Sequence, residues 1–264
     1  MAHVVKDLAG RVAFVSGGAG GIGGATAREL ASRGAKVVVA DLSAPAGEAL
    51  AGEIGGLFVR LDVADPDSWA AAAQAAQALG TVEILVNAAG VEGDFTQGGL
   101  DTSLAEWRRV IGINLDGTFL GCRTFMPAML ELGRGAIVNI ASIITCMGTP
   151  SGLAYGASKA GVEQLSRSLA LIGARDGRKV RVNSVHPGTI RTRMIEAIVT
   201  SFAEGAGVSI AEAEASVASA VPMREFGEPE DIAGMIGYLV SDAARYVTGA
   251  AMQVDGGWSV TSAG

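Results

Sequence analysis

Short runs of apolar, often β-branched residues recur along the chain, each followed by a longer stretch with helical spacing. The runs lie at 12–15, 36–40, 57–61, 83–86, 136–140, 180–185 and 251–254. They are apolar at most positions rather than strictly alternating, as in strands covered on both faces of a parallel sheet. The stretches at about 21–33, 45–54, 66–79, 103–131, 153–174 and 229–241 are amphipathic or Ala-rich and predict helices. Asp65-Pro66 is a start signal, since Asp can cap a helix and Pro fits its first position. Strand and helix alternate with no linker, repeat or low-complexity run. This predicts one doubly wound α/β domain over 1–264, with seven parallel strands and helices on both faces. The rhythm breaks at about 189–228, a partly helical excursion that reads as a substrate lid.

Composition narrows the functions. The formal net charge is −7, which gives no basic footprint for nucleic acid and a poor match to anionic membrane surfaces. Hydrophobic residues make up 49% and charged residues 18% of the 264, so the chain carries a large core and is not disordered. Two cysteines, Cys122 and Cys146, and two histidines, His3 and His186, are too few for a disulfide framework or a metal cluster, and no metal is expected. No membrane span or secretory leader is apparent, so a cytoplasmic protein is expected. Glycine, at 38 residues, exceeds its usual share and asks for tight turns or close backbone approaches.

The first such turn follows the first strand: Ser16-Gly17-Gly18-Ala19-Gly20-Gly21-Ile22-Gly23, with a helix behind it. Glycines there let backbone amides approach a pyrophosphate at the helix N-terminus, the arrangement of a Rossmann-type dinucleotide fold. A purely structural turn has the same look, and no Gly-Lys-Ser/Thr follows, so a mononucleotide loop is excluded. The second strand ends at Asp41, where a carboxylate can accept both ribose hydroxyls of NAD and repel a 2′-phosphate. Neither Leu42 nor Gly20 offers a base for that phosphate. The third strand leads into Asp62-Val63 and the fourth into Asn87-Ala88-Ala89-Gly90, both on the ligand side of a doubly wound sheet. Ser142 follows the fifth strand, and Tyr155 and Lys159 share one face of the next helix. A phenol with pKa near 10 costs about 4 kcal/mol to ionise at pH 7, and a nearby ammonium recovers most of it. His186, before Pro187, reads as a structural strand-end residue. Met147, Met194, Met223 and Trp258 read equally as pocket or core. The apolar Ile143, Ile144, Ile195, Ile198, Val199 and Phe202 predict an apolar cyclic, aromatic or steroid-like substrate. Arg191 and Arg193 read as lid-surface charges, with binding of a substrate carboxylate as the alternative.

With these motifs the sequence resembles the short-chain dehydrogenase/reductase family over essentially its whole length. Ser16-Gly17-xxx-Gly21-Ile22-Gly23 resembles that family's Thr-Gly-x-x-x-Gly-x-Gly loop, and Asn87-Ala88-Ala89-Gly90 its Asn-Asn-Ala-Gly, with Ala88 in place of the second Asn. The resemblance implies strand order 3-2-1-4-5-6-7 and a catalytic tetrad of Asn114, Ser142, Tyr155 and Lys159. It implies that Asn114 bends its helix and holds a water, and that Pro187, Gly188, Ile190 and Thr192 meet the nicotinamide. It also implies a homotetramer built on the helices at 103–131 and 153–174. The expected activity is NAD-dependent interconversion of a small-molecule secondary alcohol and ketone. A 3-oxoacyl thioester reductase or a non-catalytic dinucleotide-binding protein are the alternatives.

Overall fold

The computed structural model describes residues 6–95 and 98–261; His3 and the Met194 side chain lie outside the description. Strands β1 (Val12–Ser16), β2 (Lys36–Asp41), β3 (Leu57–Arg60), β4 (Val82–Asn87), β5 (Arg134–Ile140), β6 (Lys179–Pro187) and β7 (Ala251–Val254) form one parallel sheet, in order β3-β2-β1-β4-β5-β6-β7. The chain returns from the β3 edge to place β4 beside β1, which opens a crevice beyond the carboxyl ends of those two strands.

Alternate residues of each strand enter opposite cores. Ala13, Val15, Val37 and Val39 pack toward one face, beneath α1 (Gly21–Ser32), α2 (Ala44–Ile54) and α9 (Pro229–Val240). Phe14, Val38 and Ile137 pack toward the other, beneath α3 (Pro66–Ala76), α5 (Gly117–Leu132) and α6 (Leu153–Ala174). This two-sided burial is why the strands lack polar alternation. Asp65 caps α3 as its sequence suggests, accepting from the Asp67 amide at 2.9 Å. Trp69 on α3 stacks with Phe14 and Phe125 and donates its indole N–H to the Val63 carbonyl at 2.9 Å, so the core itself fixes the turn after β3.

One expectation changes and another gains detail. The helix predicted over 103–131 is three pieces: α4 (Leu104–Ile111), a π turn (Gly112–Asp116) and α5. The excursion at 189–228 contains two helices, α7 (Arg193–Ala206) and α8 (Ile210–Ser219), paired over a small core of Val199, Ala203, Ala213 and Phe226. Periodicity misses the π turn because a single extra residue shifts the apolar face without ending the helical run.

Candidate active site

The glycine turn after β1 is as tight as its composition suggests. Gly17 has φ +66°, and a Cβ there would lie 2.6 Å from the Ala89 amide nitrogen. A Cβ on Gly23 would lie 2.1 Å from the Gly17 carbonyl oxygen. Only glycine fits either place, and the turn lies against the Ala88–Ala89 backbone at the end of β4. Behind it, α1 begins at Gly20 with no side chain capping its free amides, the condition in which a helix N-terminus receives an anion. The Asp41 carboxylate accepts from the Ala19 amide at 3.0 Å and the Ser43 amide at 2.9 Å, which fixes its direction. Gly17, Asp41, Leu42, Asp62, Val63, Ala89 and Gly90, all expected to meet a cofactor, line one cavity of about 440 Å³. The structure also brings bases that sequence distance hides: Arg60 is the register partner of Asp41, and Arg108 lines the same cavity together with Arg109, which is paired with Glu106.

Farther along the rim, Lys159 donates to the Ile140 carbonyl at 2.8 Å and its Nζ lies 5.7 Å from the Tyr155 ring centre. Burial pulls the Lys159 pKa down to about 8. Burial raises that of Tyr155; the Ser142 hydroxyl favours its phenolate, and the charge of Glu92 opposes it. The isolated protein therefore holds Tyr155 as a phenol at neutral pH, with a cation and a hydroxyl beside it. Asn114 sits in the π turn, so the expected helix distortion is present. Its side chain is fully engaged, accepting from the Val91 amide at 2.8 Å and donating to the Val91 carbonyl at 2.8 Å and Ser158 at 3.0 Å. A Cβ on Gly90 would meet both Asn114 Oδ1 and Lys159 Nζ, at 3.2 and 3.4 Å, so Gly90 joins the cofactor cavity to this cluster.

The remaining predicted positions divide. Gly188 donates to Val254 at 3.0 Å beyond the buried Pro187, and Thr192 caps α7 with its methyl 3.5 Å from where a Gly21 Cβ would be. The Ile190 and Ile22 side chains pack on the core. His186 is structural: it is fully buried, with Nε2 2.8 Å from the Ser184 hydroxyl and Nδ1 3.0 Å from the Ser142 carbonyl, and burial lowers its pKa. Of the lid residues, Ile195 and Val199 pack inside the hairpin, whereas Ile198 and Phe202 line a cleft of about 610 Å³. Arg191 pairs with Glu214 and Glu228 at the lid base. Met223 lines a separate cavity of about 340 Å³ with Val221 and Gly256.

Sequence reasoning missed the opposite wall of the cleft, Glu92 to Phe95. Phe95 meets Tyr155 edge-on, ring centres 5.9 Å apart, in space that exists because Gly152, at φ +64°, has no Cβ. The available signal was its position directly after the β4 motif, hence at the ligand end of the sheet. A second missed feature is a buried polar chain beneath the site. Asn87 donates to Asn139 at 2.8 Å, and Asn139 to Ser166 at 2.9 Å, with Cys122 alongside.

A fixed carboxylate, an uncapped helix N-terminus behind a close-packed turn, and a buried ammonium form a donor set that fits a nicotinamide dinucleotide. The comparisons agree with that chemistry. Residues 17–259 match the family model described as Enoyl-(Acyl carrier protein) reductase. The chain is 38% identical to trans-4-hydroxycyclohexanecarboxylate dehydrogenase of Sinomonas cyclohexanicum, over 97% of this chain and 96% of that protein. It is 40% identical to an NADP-dependent (R)-specific alcohol dehydrogenase of Lentilactobacillus kefiri, over 96% and 98%. Among solved structures, levodione reductase superposes with a TM-score of 0.89 at 32% identity, covering 97% of this chain and 100% of that one.

Proposed function

The chain belongs to the short-chain dehydrogenase/reductase family, and from that premise we propose that it is an NAD-dependent enzyme interconverting a secondary alcohol and a ketone on a neutral, alicyclic substrate. The observation that carries the reading is the cluster of Ser142, Tyr155 and Lys159, in which Lys159 lies against Gly90 of the first cavity and Tyr155 against Phe95 of the cleft.

The bound dinucleotide would supply the redox chemistry, exchange of a hydride with the substrate carbon. The chain's residues handle the proton. In ketone reduction Tyr155 donates its phenolic proton to the substrate oxygen, which Ser142 orients through a hydrogen bond. In alcohol oxidation Tyr155 accepts that proton. Forming the phenolate at pH 7 costs about 4 kcal/mol for an ordinary tyrosine. An ammonium about 5 Å from a phenolate oxygen offsets about 3 kcal/mol at an effective dielectric of 20, and Lys159 is the cation beside the Tyr155 ring. Burial adds to the cost, so Lys159 is indispensable in the oxidative direction. Asn114 positions this cluster by tying the Val91 backbone to α6 through Ser158.

Asp41 supports NAD over NADP, because it accepts ribose hydroxyls and repels a 2′-phosphate. Arg60 and Arg108 are the bases set against it, and the Lentilactobacillus relative uses NADP, so cofactor titration is the first measurement. Phe95, Ile198 and Phe202 favour an apolar ring, in keeping with the cyclohexane-based substrate of the Sinomonas relative. Glu92 and Asp94 line the same cleft with no Lys or Arg among its described lining residues, so a neutral alcohol is favoured over a carboxylate. We also propose a cytoplasmic homotetramer: Phe119 on α5 and Leu171 and Ile172 on α6 leave apolar surface in water on the helices expected to pair.

The test is a panel of cyclohexanols, a hydroxycyclohexanecarboxylate and a polyol with NAD or NADP, followed by reduced-nicotinamide absorbance. A 3-oxoacyl thioester with NADPH covers the acyl-reductase alternative. Turnover of the neutral ring with NAD is expected, at least about tenfold ahead of the other combinations. Preference for an acid, a polyol or the thioester would overturn the substrate class, and equal use of NADP would overturn the role of Asp41.

A further inference from the structure

Two arginines open the lid, and the structure treats them differently. Arg191 is closed off by Glu214 at 2.5 Å and Glu228 at 3.2 Å, with its guanidinium over the Phe226 ring. Arg193, the first residue of α7, leans the other way. Its Nη2 lies 3.3 Å from the point a Cβ would occupy on Gly20, against the glycine turn. Among the described residues no carboxylate pairs with Arg193, although the side chain is exposed. Arg28, the other guanidinium near the turn, is bidentate to Glu53 at 2.7 and 2.8 Å. The nearby Asp41 carboxylate is held by the Ala19 and Ser43 amides. An unpaired cation thus rests against an uncapped helix N-terminus, and the two repel each other until an anion comes between them.

On the dinucleotide reading given above, we propose that Arg193 is a cofactor ligand that grips the pyrophosphate bridge from the lid side, so that dinucleotide binding and lid closure are one event. Gly20 is small enough to let the guanidinium reach over the turn, and the backbone amides of the turn meet the opposite side of the same phosphates. Because Arg193 begins α7, a phosphate held between it and α1 draws down the helix that carries Ile198 and Phe202 over the substrate cleft. Binding of the cofactor then shapes the substrate site before substrate arrives, which is coupling through a segment with two positions.

The experiment uses the full chain and two probes, ADP-ribose, which carries the pyrophosphate, and adenosine, which does not. Arg193→Gln is expected to weaken ADP-ribose on the order of tenfold by calorimetry, to leave adenosine unchanged, and to leave the ligand-free melting temperature unchanged. Arg193→Lys, which keeps the charge and loses the fork, is expected to fall between. In the wild type, ADP-ribose slows proteolytic cleavage within 193–220; in Arg193→Gln this protection is lost. Unchanged ADP-ribose affinity in the variant, or equal weakening of adenosine, overturns the contact. Equal protection of both proteins by ADP-ribose overturns the coupling. Failure of the wild type to bind ADP-ribose at all would instead strike the dinucleotide reading, which separates the two failures.

Discussion

The carboxyl ends of β4 and β5 and the α7–α8 hairpin both border the proposed active site, yet they are built on different terms. On the sheet side the polar groups are buried and tied by hydrogen bonds. Asn139 is completely buried between Asn87 and Ser166, Asn114 ties the Val91 backbone to α6, and Lys159 is anchored on the Ile140 carbonyl. On the hairpin side a core of Val199, Ala203, Ala213 and Phe226 carries two helices, while Phe202 stands 45% exposed toward the cleft. Groups that move protons need positions fixed to a fraction of an ångström, and burial in a hydrogen-bonded network supplies that. Groups that only choose among substrates can sit on a thinly supported element, where replacement costs little stability.

The largest test of this contrast is Tyr155→Phe, which is expected to lower kcat at least about a hundredfold while NAD affinity holds. Near-normal turnover would show that the fixed wall does not carry the proton. Next comes Lys159→Met, which is expected to abolish oxidation yet to stabilise the fold in a pH-dependent way. Burial holds the Lys159 pKa at about 8, below its unfolded value of about 10.4, so the wild type bears its full charge-burial cost below pH 8. That cost, about 3 kcal/mol, disappears as pH rises from 8 toward 10.4. The melting-temperature advantage of the variant should therefore be greatest at pH 7 and shrink through this window; a difference independent of pH would refute the burial argument. Asn139→Ala comes third, expected to cost about 2 kcal/mol by removing two buried hydrogen bonds, which leaves Asn87 with only the weak Cys122 acceptor and Ser166 with only the Val162 carbonyl, as read by urea denaturation. Phe202→Ala, on the lid, is the smallest in energy: KM for a cyclic alcohol rises about tenfold with kcat and melting temperature nearly unchanged. If the Phe202 change destabilises as much as the Asn139 change, the two walls are not built differently after all.

The contrast also explains what the sequence could reveal. Strands β1, β2 and β4 are legible because their apolar runs are buried on both faces, a property of local composition. The glycine turn, Asp41 and the Tyr155–Lys159 pair are legible because their chemistry depends on short, fixed spacings. What stays hidden is juxtaposition. Arg60 meets Asp41 only across two paired strands, and Phe95 meets Tyr155 only because a loop after β4 folds back over Gly152. The apolar lid residues look equivalent in the sequence. Pairing of α7 with α8 turns Ile195 and Val199 inward and leaves Ile198 and Phe202 facing the cleft, and helical spacing alone does not say which face finds a partner.

The π turn between α4 and α5 sets a rule for how this chain can vary. Its extra residue offsets the faces of the two helices by about 100° relative to an unbroken α-helix. That offset lets Val110 enter the core on one side of the turn while Asn114 reaches Val91 and Ser158 on the other. A side chain added at Gly112 would meet no protein atom within 4 Å, so the fold tolerates one there, although it would stand at the edge of the cavity lined by Asp41 and Gly90. Removing that residue would straighten the rod and swing one of the two faces out of alignment. At this point of the chain the count of residues is constrained as tightly as the identity of Asn114, so kindred sequences should keep the spacing between the two ends of the turn.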